Sequence, residues 1–367
     1  MKKHLNSQGI WLAVFLFTNL FTSCNKDSNL VGPGKPPVWT QEQLQSLQVR
    51  GVCATGNVII VGGYPMNTSY GYFFRSTDNG ATWVMTDSFG VNNTSPGLNF
   101  VIYPSFTFLV DGADILAGVG GGMNRGDIYR STDGGMTWSD KGISWPESGD
   151  ADAKNINSFC STGENIFAGT FHGVFRSTDR GATWKAANAG LTWPIEGLAS
   201  TGSSLFACTE GEGIFLSDDG GTSWRITDTS NYIFVSLAAI RNEVFAGAFQ
   251  FYERPLTGGA FLSTDYGVTW VHSDSGLTNH AVNVLISSGT DLYAGTNSGV
   301  FFSANDGGTW MFDSAGSASG STDVIALAVN GSRIIEGTLQ GVWVQPLPVS
   351  NDVITERNRV GLTGKGG

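Results

Sequence analysis

The sequence predicts an all-β protein built from a repeated unit of four short strands. The chain has 367 residues, of which 51 are glycine, and only 14% are charged. Short apolar runs alternate with glycine-rich turns, and no stretch has the period of a long amphipathic helix. One hairpin pattern also recurs along the chain, which is typical of repeat architectures.

The recurring hairpin is clearest at residues 174–184, VFRSTDRGATW. Ser177 and Asp179 have short side chains that accept hydrogen bonds from nearby backbone N–H groups. Gly181 supplies the positive φ that such a turn needs, and Trp184 offers a large apolar face. The pattern occurs six times, as RSTDNGATW ending at Trp83, RSTDGGMTW at Trp138, RSTDRGATW at Trp184, LSDDGGTSW at Trp224, LSTDYGVTW at Trp270 and FSANDGGTW at Trp310.

This pattern resembles the Asp-box, or bacterial neuraminidase repeat (BNR), of β-propeller proteins. The resemblance implies that each unit is one propeller blade. We expect the residues at the acidic position to build turns rather than to act as catalysts or metal ligands. They are Asp78, Asp133, Asp179, Asp219, Asp265 and Asn305.

The remaining strands can be counted separately from the hairpin. In the third unit, apolar runs at 156–163 and 165–170 precede it, which gives four antiparallel strands, A to D. The B-strand run occurs seven times, at residues 58–63, 115–118, 166–170, 205–209, 244–248, 292–296 and 334–338. The sequence therefore predicts a seven-bladed β-propeller.

The seventh unit has a C strand at 341–347 but no hairpin pattern after it. Trp39, in residues 36–41, precedes Trp83 by 44 residues, and the later tryptophans are 40 to 55 residues apart. We therefore expect the N-terminal strand to supply strand D of the last blade (3+1 closure), which hides both sheet edges. The propeller would span 36–347, after a flexible tether at 25–35 and before a disordered tail at 348–367.

The N-terminal segment, residues 1–24, has the pattern of a lipoprotein signal peptide. Lys2 and Lys3 precede an apolar run at 10–20, and that run is shorter than the roughly 20 residues that span a bilayer. Phe-Thr-Ser-Cys then resembles a lipobox, with lipidation at Cys24; ordinary secretion is the alternative. Asn-Lys-Asp follows Cys24 and is similar to a surface-export signal. We expect an outer-membrane lipoprotein, periplasmic or exposed at the cell surface.

The net charge restricts the classes of partner that the sequence predicts, and the cysteines indicate how the core is built. Removal of Lys2 and Lys3 leaves 18 basic and 31 acidic residues, a net charge of −13, which disfavours nucleic acid and anionic membranes as partners. We expect the protein to contact the membrane only through the lipid on Cys24. Cys53, Cys160 and Cys208 are expected to be small buried residues, with a Cys160–Cys208 disulfide as the alternative. No metal-binding or cofactor motif is present, so no cofactor is expected.

Candidate site residues lie in the loops that vary between units, at the end of the ring opposite the Asp-boxes. Trp145 and Trp193 each stand near a carboxylate and could stack on a sugar, or could instead pack between blades. Arg254 could clamp a carboxylate or pair with Glu253. The ligand-binding candidates are Trp145, Trp193, His172, Tyr252, Glu253, Arg254 and His280, and the weak catalytic candidates are Glu147, Asp150, Asp152 and Glu196.

Three families of Asp-box propellers imply different functions. Sialidases need an Arg-Ile-Pro motif and three arginines around the substrate, and this chain lacks the motif, while Arg75, Arg130 and Arg176 precede Asp-boxes. Xyloglucanase-type glycoside hydrolases resemble two facing rings with a catalytic Asp from each, and this chain has one ring. Single-ring proteins of the photosystem II assembly-factor type are non-catalytic. We expect a binding or scaffold module for a protein or glycan, with a glycoside hydrolase as the alternative.

Overall fold

The computed structural model describes residues 38–40, 44–65, 70–90, 105–120, 126–140, 155–209, 211–228, 232–249, 258–313 and 323–347. The chain divides into two compact units, Met1–Pro36 and Pro37–Gly367. All described residues belong to the second unit. Among them, no helix is long and apolar enough to cross a membrane.

The described strands form seven antiparallel sheets, which are the seven predicted blades of the propeller. A complete blade has four strands, A to D. Blade 1 contains β1 (Val38–Thr40), β2 (Leu47–Thr55), β3 (Val58–Pro65), β4 (Tyr70–Ser76) and β5 (Thr82–Gly90). Blade 2 contains β6 (Ser105–Asp111), β7 (Asp114–Gly120) and β8 (Asp127–Ser131), and an Arg130–Ser139 bridge marks its strand D.

Blades 3 to 6 each have all four strands. Blade 3 contains β9 (Ile156–Thr162), β10 (Asn165–Thr170), β11 (Gly173–Ser177) and β12 (Lys185–Ala186). Blade 4 contains β13 (Ile195–Thr201), β14 (Ser204–Thr209), β15 (Gly213–Ser217) and β16 (Arg225–Asp228). Blade 5 contains β17 (Ile233–Ile240), β18 (Glu243–Phe249), β19 (Gly259–Ser263) and β20 (Val271–His272). Blade 6 contains β21 (Val282–Ser288), β22 (Asp291–Thr296), β23 (Gly299–Ser303) and β24 (Met311–Phe312).

The A strands form the inner wall of the ring, and blade 7 completes it with β25 (Val324–Asn330), β26 (Arg333–Thr338) and β27 (Gly341–Pro346). Each A strand contacts the A strands of both neighbouring blades, and β2 of blade 1 contacts β25 of blade 7. The A–B and C–D turns share one end of the ring. The B–C turns and D–A links share the other end. We call these ends the box face and the loop face.

A glycine in strand B allows neighbouring blades to approach closely. A Cβ on Gly169 would lie 2.7 Å from Ile195 Cγ2 at the start of the next A strand, and Gly247 meets Val282 at the same distance. Apolar faces therefore pack between sheets, as between blades 3 and 4, where Phe167 packs with Trp224. The alanine–glycine pair of the B-strand repeat thus follows from sheet-on-sheet packing.

The same contact closes the ring, because a Cβ on Gly337 of blade 7 would lie 2.8 Å from Val49 Cγ1 of blade 1. The predicted 3+1 closure is wrong in the structure. The first strand, β1, pairs with the outer edge of β5, with Trp39 opposite Trp83, and the blade 7 sheet has three described strands. Strand β5 is nine residues long and offers an outer edge, and blade 7 is joined to blade 1 by packing rather than by strand exchange.

The described cysteines Cys53, Cys160 and Cys208 are all free and buried. The alternative disulfide between Cys160 and Cys208 is therefore not formed in the structure. Burial raises the pKa of Cys53 and of Cys160 to about 12, and burial also raises the pKa of Cys208. A thiol that stays protonated reacts slowly, so these side chains act as small apolar core residues.

Candidate functional site at the loop face

Hydrogen bonds inside the turn occupy the Asp-box carboxylates at the box face. Ser177 Oγ donates to Asp179 Oδ1 at 2.8 Å and accepts from Gly181 N–H at 2.8 Å. Asp179 also accepts from the backbone N–H and the hydroxyl of Thr183, at 2.8 and 2.6 Å. These bonds lower the pKa of Asp179 to about 2, and the bond from the Thr183 hydroxyl contributes most. The carboxylate thus remains ionised and holds the turn.

The other hairpins repeat this arrangement. In each, the serine hydroxyl donates to the residue at the acidic position at 2.8 or 2.9 Å, in the pairs Ser76–Asp78, Ser131–Asp133, Ser217–Asp219, Ser263–Asp265 and Ser303–Asn305. Asn305 Oδ1 accepts from Thr309 N–H at 2.9 Å, as the aspartates accept at the corresponding position. An amide can therefore replace the carboxylate in this turn.

The loop face has a feature that the sequence reasoning missed, a bulge near the start of six A strands. At each bulge the strand holds one extra residue between two that pair with strand B. Each extra residue is half-buried at the loop-face end of the inner wall. The six residues are Arg50, Asn157, Glu196, Val235, Asn283 and Ile325. The extra residue is polar in four of the six strands, as in Val-Arg-Gly and Ile-Glu-Gly, and apolar in the other two.

Two of these residues join neighbouring blades. Asn157 Nδ2 donates to the carbonyl of Ile195 in blade 4 at 3.0 Å, and Asn283 Nδ2 donates to the carbonyl of Val324 in blade 7 at 3.0 Å. Both bonds run from a bulge to the start of the next A strand. They hold the mouth of the central channel in one geometry, because each fixes the backbone of a neighbouring blade.

Arg50 and Glu196 are the charged members of this ring. The Arg50 guanidinium lies 6.0 Å from the centre of the Tyr64 ring and donates to Gln48 Oε1 at 3.4 Å. Burial raises the pKa of Asp323, and the nearby Arg50 opposes that rise. Glu196 lies near Cys208, whose pKa it helps to raise after burial. Blades 1 and 4 thus place opposite charges at well-separated points of the mouth.

Exposed aromatic rings stand on the loop face of blades 3 and 4. Trp193, in the D–A link before β13, is 36% exposed, and Phe171, in the B–C turn of blade 3, is 44% exposed. Phe171 contacts His172, with ring centres 5.8 Å apart. Asn188 Nδ2 donates to the His172 carbonyl at 3.1 Å and supports that turn. The Phe171 ring is therefore presented on a turn that its own blade holds in place.

A second loop-face cluster lies at blade 5, where the structure joins His280 to residues that were not candidates. Asp274 Oδ2 is 3.4 Å from His280 Nδ1 and 3.3 Å from His272 Nδ1. Tyr232 Oη is 3.1 Å from His272 Nε2. If both histidines are neutral and donate to Asp274 from Nδ1, then His272 Nε2 accepts from the tyrosine hydroxyl. His280 Nε2 then remains as an acceptor.

The structure does not bring the other candidates together. His172 and Trp193 lie on blades 3 and 4, and His280 lies on blade 5. The described residues contain no group of three or more histidine, cysteine or acidic side chains that could hold a metal ion. The remaining candidates lie outside the described residues, namely Trp145, Glu147, Asp150, Asp152, Tyr252, Glu253, Arg254 and Cys24.

Blade 7 meets blade 1 at an opening of about 400 Å³ on the box face. It is lined by the Asp-box of blade 1 and by outer residues of blade 7, including Gly80, Arg333, Trp343 and Val344. A Cβ on Gly80 would lie 2.8 Å from Val344 Cγ2. The opening lies beside β27, where the other blades carry strand D.

A family model for the BNR/Asp-box repeat matches residues 129–140. No curated protein matches the chain. Among solved structures, the chain is similar to YCF48 bound to a D1 peptide, at a TM-score of 0.59 and 14% identity, over 86% of this chain and 98% of the other. The fold and repeat are therefore those of a seven-bladed propeller with BNR/Asp-box units.

Two larger proteins contain a similar ring. An ancestral GH74 enzyme matches at a TM-score of 0.59 and 16% identity, over 86% of this chain and 47% of the enzyme. The extracellular domain of BT4673 from B. thetaiotaomicron matches at 0.57 and 15% identity, over 84% of this chain and 40% of that one. This chain spans less than half of either protein. At these identities the likeness concerns the fold, which hosts both peptide binding and hydrolysis.

Proposed function

We propose that this protein is a non-catalytic binding module of the bacterial cell envelope that recognises an extended protein segment through its loop face. The observation that carries the proposal is the pair of exposed rings on neighbouring blades, Phe171 on a turn that Asn188 supports and Trp193 in the next D–A link. Aromatic side chains on rigid turns bind with little loss of conformational entropy. The similar ring of YCF48 binds a D1 peptide, which supports a peptide as the ligand class.

An acid pair among the described residues, Glu336 and Asp313, does not favour the alternative function, a glycoside hydrolase. Glu336 and Asp313 share one hydrogen-bond donor, but they are 3% and 6% exposed. The two catalytic carboxyl groups of a glycoside hydrolase stand roughly 5 to 10 Å apart and must both reach the sugar, so they need an accessible cleft. The GH74 enzyme, in contrast, is about twice the length that this ring covers.

The chain offers matched variants that separate the two faces. Phe171→Ala with Trp193→Ala removes rings from the loop face. Met136→Ala with Tyr266→Ala removes side chains that are 58% and 43% exposed from the box face. Purified protein would be panned against a random peptide display library and applied to a glycan array. The selected peptides should lose roughly tenfold or more in affinity with the first pair and little with the second.

Three outcomes would contradict this function. Equal loss of affinity with both pairs would show that the loop face is not the binding surface. Release of reducing sugar from a polysaccharide, abolished by Glu196→Gln, would establish hydrolysis. Glycan binding without turnover would replace the peptide by a sugar as the ligand.

We also propose that the protein is held in the envelope by a lipid on Cys24. The lipobox-like residues before Cys24 support this anchor. The test is palmitate labelling of cells that express the full chain. Label should be incorporated into the wild-type protein and lost in Cys24→Ser, whereas label retained in that variant would refute the anchor.

A further inference from the structure

Glu336 occupies a position that the other repeats give to a small or apolar side chain. In strand B, the corresponding residue is valine in blade 1 and alanine in blades 2 to 6, namely Val61, Ala117, Ala168, Ala207, Ala246 and Ala294. A glycine follows it in every blade except blade 4, where Cys208 follows Ala207. Glu336 lies at this position in β26 and is 3% exposed. Burial of a carboxyl group where most blades bury a methyl group costs free energy. Such a residue is expected to have a role that offsets this cost.

The contacts of Glu336 join blades 6 and 7. The side-chain amide of Gln345, on β27, donates to Glu336 Oε1 and, at 3.2 Å, to Asp313 Oδ2. Asp313 follows β24 of blade 6 and is 6% exposed. One amide with two N–H groups thus bridges two buried carboxyl groups from neighbouring blades.

The surroundings favour a proton on Glu336 near neutral pH. Burial, and then the charge of Asp313, raises the pKa of Glu336 to about 7. Among the described residues, Tyr293 and Asp291 on β22 are the other titratable groups near this cluster. Burial, and then the charges of Asp291 and Asp313, raise the pKa of Tyr293 to about 12. With a pKa of about 12, Tyr293 is neutral near pH 7, so the charge that opposes ionisation of Glu336 is that of Asp313.

We propose that Glu336, Gln345 and Asp313 form a proton-controlled latch between blades 6 and 7. With the proton on Glu336, the Gln345 amide joins the blades without placing two negative charges in the core. When Glu336 releases its proton to solvent, the two carboxylates repel each other and the seam loosens.

The direction of the pH effect follows from linkage. The pKa of Glu336 in the closed ring, about 7, lies above the ordinary value of 4.5 that the opened seam restores. The stabilisation from the protonated latch is complete below 4.5 and is lost as the pH rises to about 7. Above that value both states are ionised, so opening no longer changes with pH.

Hydrogen exchange of the full chain between pH 5 and 8 tests the latch. After correction for intrinsic exchange rates, opening of residues 333–347 should increase roughly ten- to hundredfold and level off above neutral pH. The corresponding strands of blade 4, β14 and β15, serve as the internal reference. A flat profile for β26 and β27 in the wild-type protein would overturn the proposal.

Variants identify the group that titrates. Glu336→Ala restores the residue of blades 2 to 6 and should flatten the profile, as should Glu336→Gln. Asp313→Asn should keep the profile but move its midpoint to lower pH. Glu212→Gln, at an exposed position, should leave it unchanged. A pH dependence that survives in Glu336→Ala would overturn the latch.

An infrared measurement gives a readout that does not depend on how well the variants fold. A band of a protonated buried carboxyl group should be present in the wild-type protein at pH 6 and disappear by pH 8. Absence of this band from the folded wild-type protein at pH 6 would also overturn the proposal.

Discussion

Replacement of Ser177 by alanine tests whether the Asp-box is a turn device whose central element is the buried hydroxyl. Ser177 is 1% exposed, and its Oγ accepts from Gly181 N–H at 2.8 Å. In Ser177→Ala this buried N–H has lost its acceptor, which destabilises a folded protein by about 1 to 3 kcal/mol. For a domain of about 310 residues, each kcal/mol lowers Tm by roughly 1 to 2 °C. We therefore expect a fall of a few degrees in thermal unfolding.

Asp179→Asn is the matched comparison. Asn305 occupies this position in blade 6 and accepts from Thr309 N–H at 2.9 Å, so an amide should preserve the turn. We expect a loss of less than about 1 kcal/mol, as for most exposed substitutions. Both variants would be measured by calorimetry and by hydrogen exchange at residues 174–184. A larger loss in Asp179→Asn than in Ser177→Ala would refute the reasoning, because the carboxylate would then be the essential group.

Two further predictions concern the packing of the ring. Gly181→Ala should lower stability by roughly 1 to 2 kcal/mol or more in calorimetry, because Gly181 has φ +84° and its added Cβ would lie 2.8 Å from Leu116 Cδ1. Gly56→Ala, with φ +57° and nothing within 4 Å, isolates the backbone part, and equal losses would exclude a packing role. A thiol reagent should label Cys53, Cys160 and Cys208 only after denaturation, since all three are buried, and rapid labelling of native protein would contradict their core positions.

The repeat made the blades predictable because local physics sets each of its parts. Gly181 must take a positive φ, and Gly169 must lack a side chain because Ile195 of the next blade packs against it. Such requirements recur in most blades and leave a pattern in one sequence. Trp39 shows the limit of that reasoning. Its spacing matches the other tryptophans, but the edge with which its strand pairs depends on competition between β5 and β27.

The candidate site was less predictable for a related reason. The bulge residues Arg50 and Glu196 are found from strand pairing, which one sequence does not show directly. Asp274 and His272 join His280 because the D strand of blade 5 ends beside the next link. Glu336 was visible as a departure from the alanine of the repeat, but its contact with Asp313 depends on the packing of blade 7 against blade 6.

The central claim is that the loop face, rather than the box face, binds the ligand. The most direct measurement is the hydrogen-exchange footprint of a display-selected peptide on the full chain. The proposal predicts slower exchange in the turns that contain Phe171 and Trp193, and unchanged exchange in the Asp-box hairpins around Asp133 and Asp265. Protection confined to those hairpins would contradict the proposal.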